Sequence, residues 1–364
     1  MREEKDAVKT ARQIIEGYDG PPVRIMEVCG THTHEIFRLG IRKILPEQVN
    51  LISGPGCPVC VTPADFIDEA VWLALEKGVT ICTFGDLVRV PGSEKSLAAA
   101  RAEGGKIQVV YSPTDASQYA KEHPDEQVVF LSVGFETTTP ASCLSVKMAS
   151  EEGLHNYSLL TANKTMPQAY KALKGSADVF LYPGHVNAIM GTELCEQLAK
   201  EGISGVVAGF GAKELLAAFA VILTKFPKGE PFFANAYKRV VTREGSLPAQ
   251  KLMEEWMEAC DSEWRGLGMI PMSGLKLRER YQDFDARIKY GIPKMEGRSN
   301  PACRCGEVLQ GKCTPTQCPL FGKGCTPLHP VGACMVSGEG ACSAFYQYGE
   351  NGDLSRCNCG FERI

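Results

Sequence analysis

"QVVFLSVGFETTTP" occupies residues 127–140, and its two halves decide the class of fold. The first half is an almost unbroken apolar run with no polar alternation. A strand that shows water neither face belongs in a parallel sheet with helices over both sides. The second half turns at once to glycine, an acid and three hydroxyls, so a polar loop follows the strand's carboxyl end. The same strand reading holds for "VRIMEV" (23–28), "NLIS" (50–53), "VTICTF" (79–84), "IQVVYS" (107–112), "YSLLTA" (157–162), "DVFLYP" (178–183) and "GVVAGF" (205–210). The stretches between them read as helices. "PADFIDEAVWLALEKG" (63–78), for instance, has Thr62 as an N-cap, Pro63 at the first helical position and Gly78 as its stop. A βαβ architecture follows.

Eight strands between residues 23 and 210 fit two doubly wound parallel-sheet α/β domains better than one large sheet. The expected division is residues 1–120 for the first and 121–240 for the second, with the boundary in "SPTDASQYAKEHPDEQ" (112–127). Residues 241–364 then form a helical segment and a small, loop-rich, Cys-rich domain. "AKELLAAFAVILTKF" and "PAQKLMEEWMEACDSEW" read as long helices. Beyond Met269 glycine, proline and cysteine dominate, and a core that poor needs a bound metal centre as a cross-link.

Composition narrows the function classes. Of 364 residues 44% are apolar and 23% charged, with a net charge of -4, as in a globular protein. A pI near 6.0 and no dense Lys/Arg block exclude a phosphate-tracking surface, so no nucleic-acid partner is expected. "MREEKDAVKTARQIIEGY" lacks the apolar core of an export signal, and no window approaches the roughly 18 apolar residues of a membrane span. A cytoplasmic location is expected. Sixteen cysteines in a reducing compartment point to ligation or redox chemistry rather than disulfides; seven precede residue 300 and nine lie from Cys303 to Cys359. Cys82, Cys143 and Cys195 lie in apolar or helical runs and read as small core hydrophobes.

In an open α/β sheet, ligands bind beyond the carboxyl ends of the strands. Four loops sit there: "CGTHTHE" (29–35), "GPGCPVC" (54–60), "GFETTTP" (134–140) and "PGHVNAIMG" (183–191). Cys29 follows a strand and precedes a helix, where backbone N–H groups favour a thiolate, the form that attacks and that binds soft metals. His32 and His34 read first as hydrogen-bonding groups and second as ligands. Cys57 and Cys60 are three apart in a turn stiffened by Pro55 and Pro58 and bent at Gly54 and Gly56. That spacing serves a disulfide or one soft metal ion and does not separate the two. Structural zinc is disfavoured, because no second pair lies at matching distance. A thioredoxin-type motif would start its helix at the first cysteine, whereas Pro63 suggests a later start. Glu136 with its three threonines, and His185, are poised to position a ligand or to form an ordinary capped turn. "GFGAKE" (209–214) reads as a glycine-lined helix start, since Glu214 stands where a dinucleotide fingerprint needs glycine. In the last domain Cys318, Cys325 and Cys342 with Cys303 or Cys305 supply four thiolates. An iron–sulfur cube is the first reading and zinc the second. Cys313, Cys334, Cys357 and Cys359 are left over.

Taken together, "CGTHTHEIFRLGIRKILP", "SGPGCPVCVTP", "GFETTTP", "YPGHV" and "CRCGEVLQG…CPLFGKGCTP…EGACSAFYQYG" resemble the HypD family of hydrogenase maturation factors from about residue 23 to 348. The resemblance implies a scaffold on which the Fe(CN)2CO centre of [NiFe] hydrogenases is assembled, a redox-active assembly factor rather than a conventional turnover enzyme, monomeric by itself. It implies that Cys29 holds the iron jointly with a cysteine of a small HypC-type partner, and that Cys57 and Cys60 are a redox pair able to coordinate iron. A [4Fe-4S] cluster would use Cys318, Cys325, Cys342 and one of Cys303 or Cys305. A HypE-type partner would deliver cyanide as a thiocyanate. From loop position, Glu136, His32 and His185 are expected to hydrogen-bond the cyanides or orient Cys29. The competing reading is a cluster-dependent disulfide oxidoreductase.

Overall fold

The structure, a computed structural model, describes residues 2–349. In chain order its strands are β1 (Val23–Glu27), β2 (Val49–Ser53), β3 (Thr80–Thr83), β4 (Ile107–Val109), β5 (Val128–Ser132), β6 (Tyr157–Thr161), β7 (Val179–Pro183), β8 (Ser204–Ala208), β9 (Phe233–Asn235), β10 (Met257–Trp264) and β11 (Gly268–Leu277). The first eight fall on the eight runs read from the sequence. They form two sheets, ordered β2-β1-β7-β8-β9 and β4-β3-β5-β6, in which every pairing is parallel.

Both faces of each sheet are covered, which is why the strands lack polar alternation. In the first sheet Ile25, Val179, Leu181 and Val206 pack with Ile15, Leu215 and Phe219 of the helices Arg2–Glu16 and Ala212–Lys225. Their neighbours Met26, Phe180, Tyr182 and Val207 point the other way, into a core shared with Tyr170, Trp264, Cys57 and Cys60. In the second sheet Ile81, Val129 and Leu131 meet Phe66, Ile67 and Leu73 on one side. Cys82, Phe130 and Leu159 meet Cys143, Val146 and Trp256 on the other, so Cys82 and Cys143 are core hydrophobes as read.

The sheets interleave along the chain. After β2 the chain leaves the first sheet, builds all four strands of the second, and returns with β7. A cut near residue 120 therefore does not separate them; residues 113–122 form a helix between β4 and β5 of one sheet. In their own numbering the first sheet follows the order 2-1-3-4-5 and the second 2-1-3-4, so the strand order reverses between β1 and β7 and again between β3 and β5. Ligands bind at such switch points in doubly wound sheets.

Other sequence expectations change in detail. Residues 248–264 are not one helix: Leu247–Trp256 is helical, and β10 then pairs antiparallel with β11. Met, Glu and Ala favour helix there, but Met257 and Trp264 bury at the two ends of an otherwise half-exposed strand. The hairpin is fastened beside β6, where Lys164 Nζ donates to Ser262 Oγ at 2.7 Å and to the Glu263 carbonyl at 2.6 Å. The helix read at 63–78 runs from Ala64 to Glu76 with Pro63, not Thr62, as N-cap. Among the described residues no helix is long and apolar enough to cross a membrane. Cys357 and Cys359 lie outside the described residues.

Candidate functional site

The first sheet's switch point is flanked by the loops that leave β1 and β7. Cys29 caps the helix Gly30–Arg38 in extended conformation and is 2% exposed. His185 opens the helix Gly184–Met190, and its Nε2 lies 4.0 Å from Cys29 Sγ. His32, fully buried one turn into the Cys29 helix, sets its Nε2 3.1 Å from the Gly209 carbonyl, while its Nδ1 has no partner. Burial lowers His32 to about 3 and His185 to about 4. Both rings are thus neutral, and donation from His32 Nε2 leaves Nδ1 as an unpartnered lone pair. Phe210 lies against both imidazoles, at 4.8 Å and 5.0 Å between ring centres. It belongs to "GFGAKE", a stretch with little sequence signal beyond an aromatic between two glycines at a strand end. His34 turns away toward the helix Ala341–Tyr348, the last among the described residues and here termed the C-terminal helix, its Nε2 3.4 Å from the Tyr348 hydroxyl.

The dithiol loop from β2 lies directly against Cys29. Gly30 N–H donates to the Gly56 carbonyl at 3.1 Å, and a Cβ on Gly56 would come within 2.0 Å of the Cys29 nitrogen. Glycine is therefore required by close approach of two backbones, rather than for a bend. Cys57 is the N-cap of a one-turn helix, Pro58–Val61, and its sulfur accepts the Cys60 N–H at 3.3 Å. That helix start differs from the later start expected at Pro63. Both sulfurs are buried, and burial pushes the Cys60 thiol well above its ordinary range.

Cys60 leads into a second group of thiols. The fully buried Cys334, left unassigned in the sequence, interacts with Cys60, Cys305 and Cys342. Cys303 Sγ is 3.3 Å from Cys305 Sγ, and a Cβ on Gly332 would lie 2.6 Å from each. The Cys325 sulfur accepts the Val331 N–H at 3.3 Å nearby. Cys318 is half-buried, and its thiol reaches only the Ala302 carbonyl at 4.0 Å. The sulfurs run as a chain; among the described residues no three Cys, His, Asp or Glu side chains are grouped so that they could hold a metal ion.

A carboxylate missed by the sequence reading completes the Cys29 surroundings. Glu339 Oε1 accepts from Thr31 Oγ1 at 2.7 Å, and a Cβ on Gly30 would meet the Glu339 side chain and carbonyl. Nothing local in "SGEGAC" distinguishes this acid from a solvated one; the packing of residues 333–348 over the Cys29 helix does. The Cys29 thiol is pushed up to about 12, chiefly by burial and also by Glu339. The His32 and Thr31 N–H groups pull it down as the helix start implies, but burial outweighs them. Cys29 is thus held as the neutral thiol.

Glu136 stands at the second switch point, after β5. It is 1% exposed; Oε1 accepts the Met166 N–H at 2.9 Å, and Oε2 is buried without a partner. Burial raises it to about 7. It lines a cavity of about 270 Å3 with Met190, Met253 and Met257. Because the folded pKa exceeds the unfolded one, stability from this group is fully present below about 4.5 and is lost as pH rises through about 7. Glu136→Gln should therefore gain stability over wild type between those values, reaching on the order of 3 kcal/mol at pH 8. Urea unfolding of both proteins from pH 5 to 8 measures this; parallel curves would contradict a buried, uncompensated carboxyl. His32 and His185 act oppositely, their depressed values costing stability as pH falls below about 6.5, and they cancel in the difference.

The HypD family model, described as the hydrogenase formation hypA family, matches residues 5–349. The hydrogenase maturation factor HypD of Escherichia coli is 43% identical over 333 residues, 90% of this chain and 89% of that protein. HypD of Rhodobacter capsulatus is 43% identical over 338 residues, 90% of each chain. HypD2 of Bradyrhizobium diazoefficiens is 40% identical over 363 residues, 96% of each chain. With a family match over nearly the whole chain and relatives of this similarity, the protein belongs to the HypD family of hydrogenase maturation factors.

Proposed function

We propose that this chain is the scaffold on which the iron of a [NiFe] hydrogenase receives its cyanide and carbonyl ligands, with a HypC-type partner sharing the iron. The observation that carries the reading is the backbone contact of the Cys57/Cys60 loop with Cys29 at the switch point, beside His185 and His32. Iron is cargo here. Cys29 is its thiolate ligand, and the N–H of the neutral His185 ring, beside Cys29, is the donor for a bound cyanide, whereas the His32 lone pair can only accept. Cys57 and Cys60 are the electron source for cyanide release from the thiocyanate of a HypE-type partner. Two thiols and R–S–CN give a disulfide, R–SH, cyanide and one proton, so atoms and charge balance.

The terminal thiols suit a sulfur-bound cluster by their chemistry, being soft and mostly buried, with Gly332 leaving room at two of them, Cys303 and Cys305, although the sulfurs are arranged as a chain. Cys325, Cys342, Cys318 and one of Cys303 or Cys305 would hold a [4Fe-4S] cluster. Cys334 is placed at least as well as Cys318, since it meets Cys305 and Cys342. When bound, such a cluster supplies electrons one at a time. Anaerobic co-purification with the HypC-type partner, iron counting and infrared spectroscopy test the reading; a complex without cyanide or carbonyl bands would count against it.

The Cys57 cap and the Cys60 N–H to sulfur contact also favour a disulfide oxidoreductase. Turnover of a disulfide substrate with no partner present would select that reading instead.

A further inference from the structure

The cavity beside Glu136 is assembled from distant parts of the chain. Glu136 follows β5, Thr165 follows β6, and Met190 ends the helix that His185 opens. Gln250 and Met253 come from the helix Leu247–Trp256, and Met257 from β10. The methionines form its apolar wall. Exposed Glu254 marks its solvent side and Glu136, 1% exposed, its inner end. Its volume of about 270 Å3 is just below the roughly 300 Å3 at which pockets for drug-sized ligands begin, so its occupant is small.

The polar groups on this wall are acceptors left without donors. Glu136 Oε1 takes the Met166 N–H, and Oε2 has no partner. Gln250 commits its amide nitrogen to the Ile189 carbonyl at 2.7 Å and the Glu244 carbonyl at 2.8 Å, which leaves its oxygen to accept. Thr165 donates its backbone N–H to the Ser273 carbonyl at 2.8 Å, and among the described residues nothing engages its hydroxyl. Nor, among the described residues, does a cation pair with Glu136 or Glu254; Arg278, at the same cavity, is held by the Glu254 carbonyl at 2.8 Å and by Glu258 at 3.8 Å.

A carboxylate buried without a cation is costly, and a bound cation removes that cost. Glu136 and Glu254 repel an anion, and among the described residues no three ligating side chains are grouped to hold a metal ion. A primary ammonium has three N–H donors, one for each free acceptor, and flexible methionines adapt to an alkyl chain behind it. We propose that this cavity binds a primary alkylammonium group about the size of a lysine side chain, with the Glu136 carboxylate as its counter-ion. Binding there needs neither iron nor the Cys57/Cys60 pair, so it stands or falls separately from the scaffold reading.

Calorimetric titration of the full-length protein, purified anaerobically, with n-butylammonium chloride in phosphate buffer at about pH 8 tests this; burial raises Glu136 to about 7, so it is ionised there. Saturable one-to-one binding is expected, and the methyl resonances of Met190, Met253 and Met257 should shift in carbon-13-labelled protein. Glu136→Gln removes a buried charge, keeps the shape and should weaken binding at least about tenfold. Thr165→Val removes one acceptor and should weaken it about threefold. n-Butanol, with the same chain and no charge, should bind at least about tenfold more weakly than the amine. N-acetyl-lysine methylamide separates two sources of the ligand: binding as tight as that of n-butylammonium assigns the site to the lysine side chain of a protein, and binding of n-butylammonium alone assigns it to a free amine. An amine that does not bind, that leaves the three methionines unshifted, that binds no better than n-butanol, or that binds Glu136→Gln protein as tightly as wild type would overturn the site.

Discussion

Cys29→Ala protein, co-expressed with its partners, is expected to carry no iron with cyanide or carbonyl infrared bands and to leave hydrogenase maturation without measurable yield. Cys29 is the sulfur at the first sheet's switch point, held by the close approach of Gly56 and buried to 2% exposure. Alanine leaves imidazoles and a carboxylate, none of which would replace a soft thiolate for the proposed iron. The loss should exceed the roughly 10- to 100-fold that disturbing an outer-shell partner costs, which is the effect expected of His185→Ala. Serine at residue 29 should fare no better than alanine, because its oxygen is hard and keeps its proton. Infrared spectra of the purified complex decide; Cys29→Ala protein with intact bands would place the iron elsewhere.

The second large effect concerns the base of the same loop. Glu27, at the end of β1, is fully buried and accepts from Arg42 Nη2 at 2.8 Å and from Ser53 Oγ at 3.2 Å. Arg42 is partly exposed, and its guanidinium lies 4.4 Å from the Phe37 ring centre and 5.4 Å from that of Phe345. Arg42→Ala strips a buried carboxylate of its cation and loosens the C-terminal helix from the Cys29 helix. Removing one partner of such a pair should cost about 3 kcal/mol of unfolding free energy. Replacing both, as Glu27→Gln with Arg42→Met, should recover much of it, since no bare charge is left. Urea denaturation of the single and double variants measures this. A single variant within about 0.5 kcal/mol of wild type would mean that the pair behaves like an exposed one.

Much of the site was legible because strand ends and reactive residues coincide in the chain. Cys29, Cys57, Cys60, Glu136 and His185 all closely follow apolar runs, and the structure places each just beyond a strand's carboxyl end, on a loop or in the first turn of the next helix. What escaped the sequence depends on distant packing. Cys334 gains its place from contact with Cys60, and Glu339 from the close approach of Gly30. The β10–β11 hairpin was missed, because Met, Glu and Ala in residues 248–264 favour helix while the burial of Met257 and Trp264 favours a hairpin. The protonation of Cys29 was misjudged for a related reason. A helix start can be seen in sequence, but the desolvation that outweighs it cannot.

The sequence by itself determined the local units: eight buried strands, the helices between most of them, and the polar loops that follow. These depend on short-range periodicity and on residues that punctuate the chain. Only the tertiary structure decided which strands are neighbours. The β2-β1-β7 order puts Cys29 and His185 on either side of one switch point and seats the dithiol loop against Cys29. Strand pairing is set by nonlocal burial, and β1 and β7 lie more than a hundred residues apart with the whole second sheet between them.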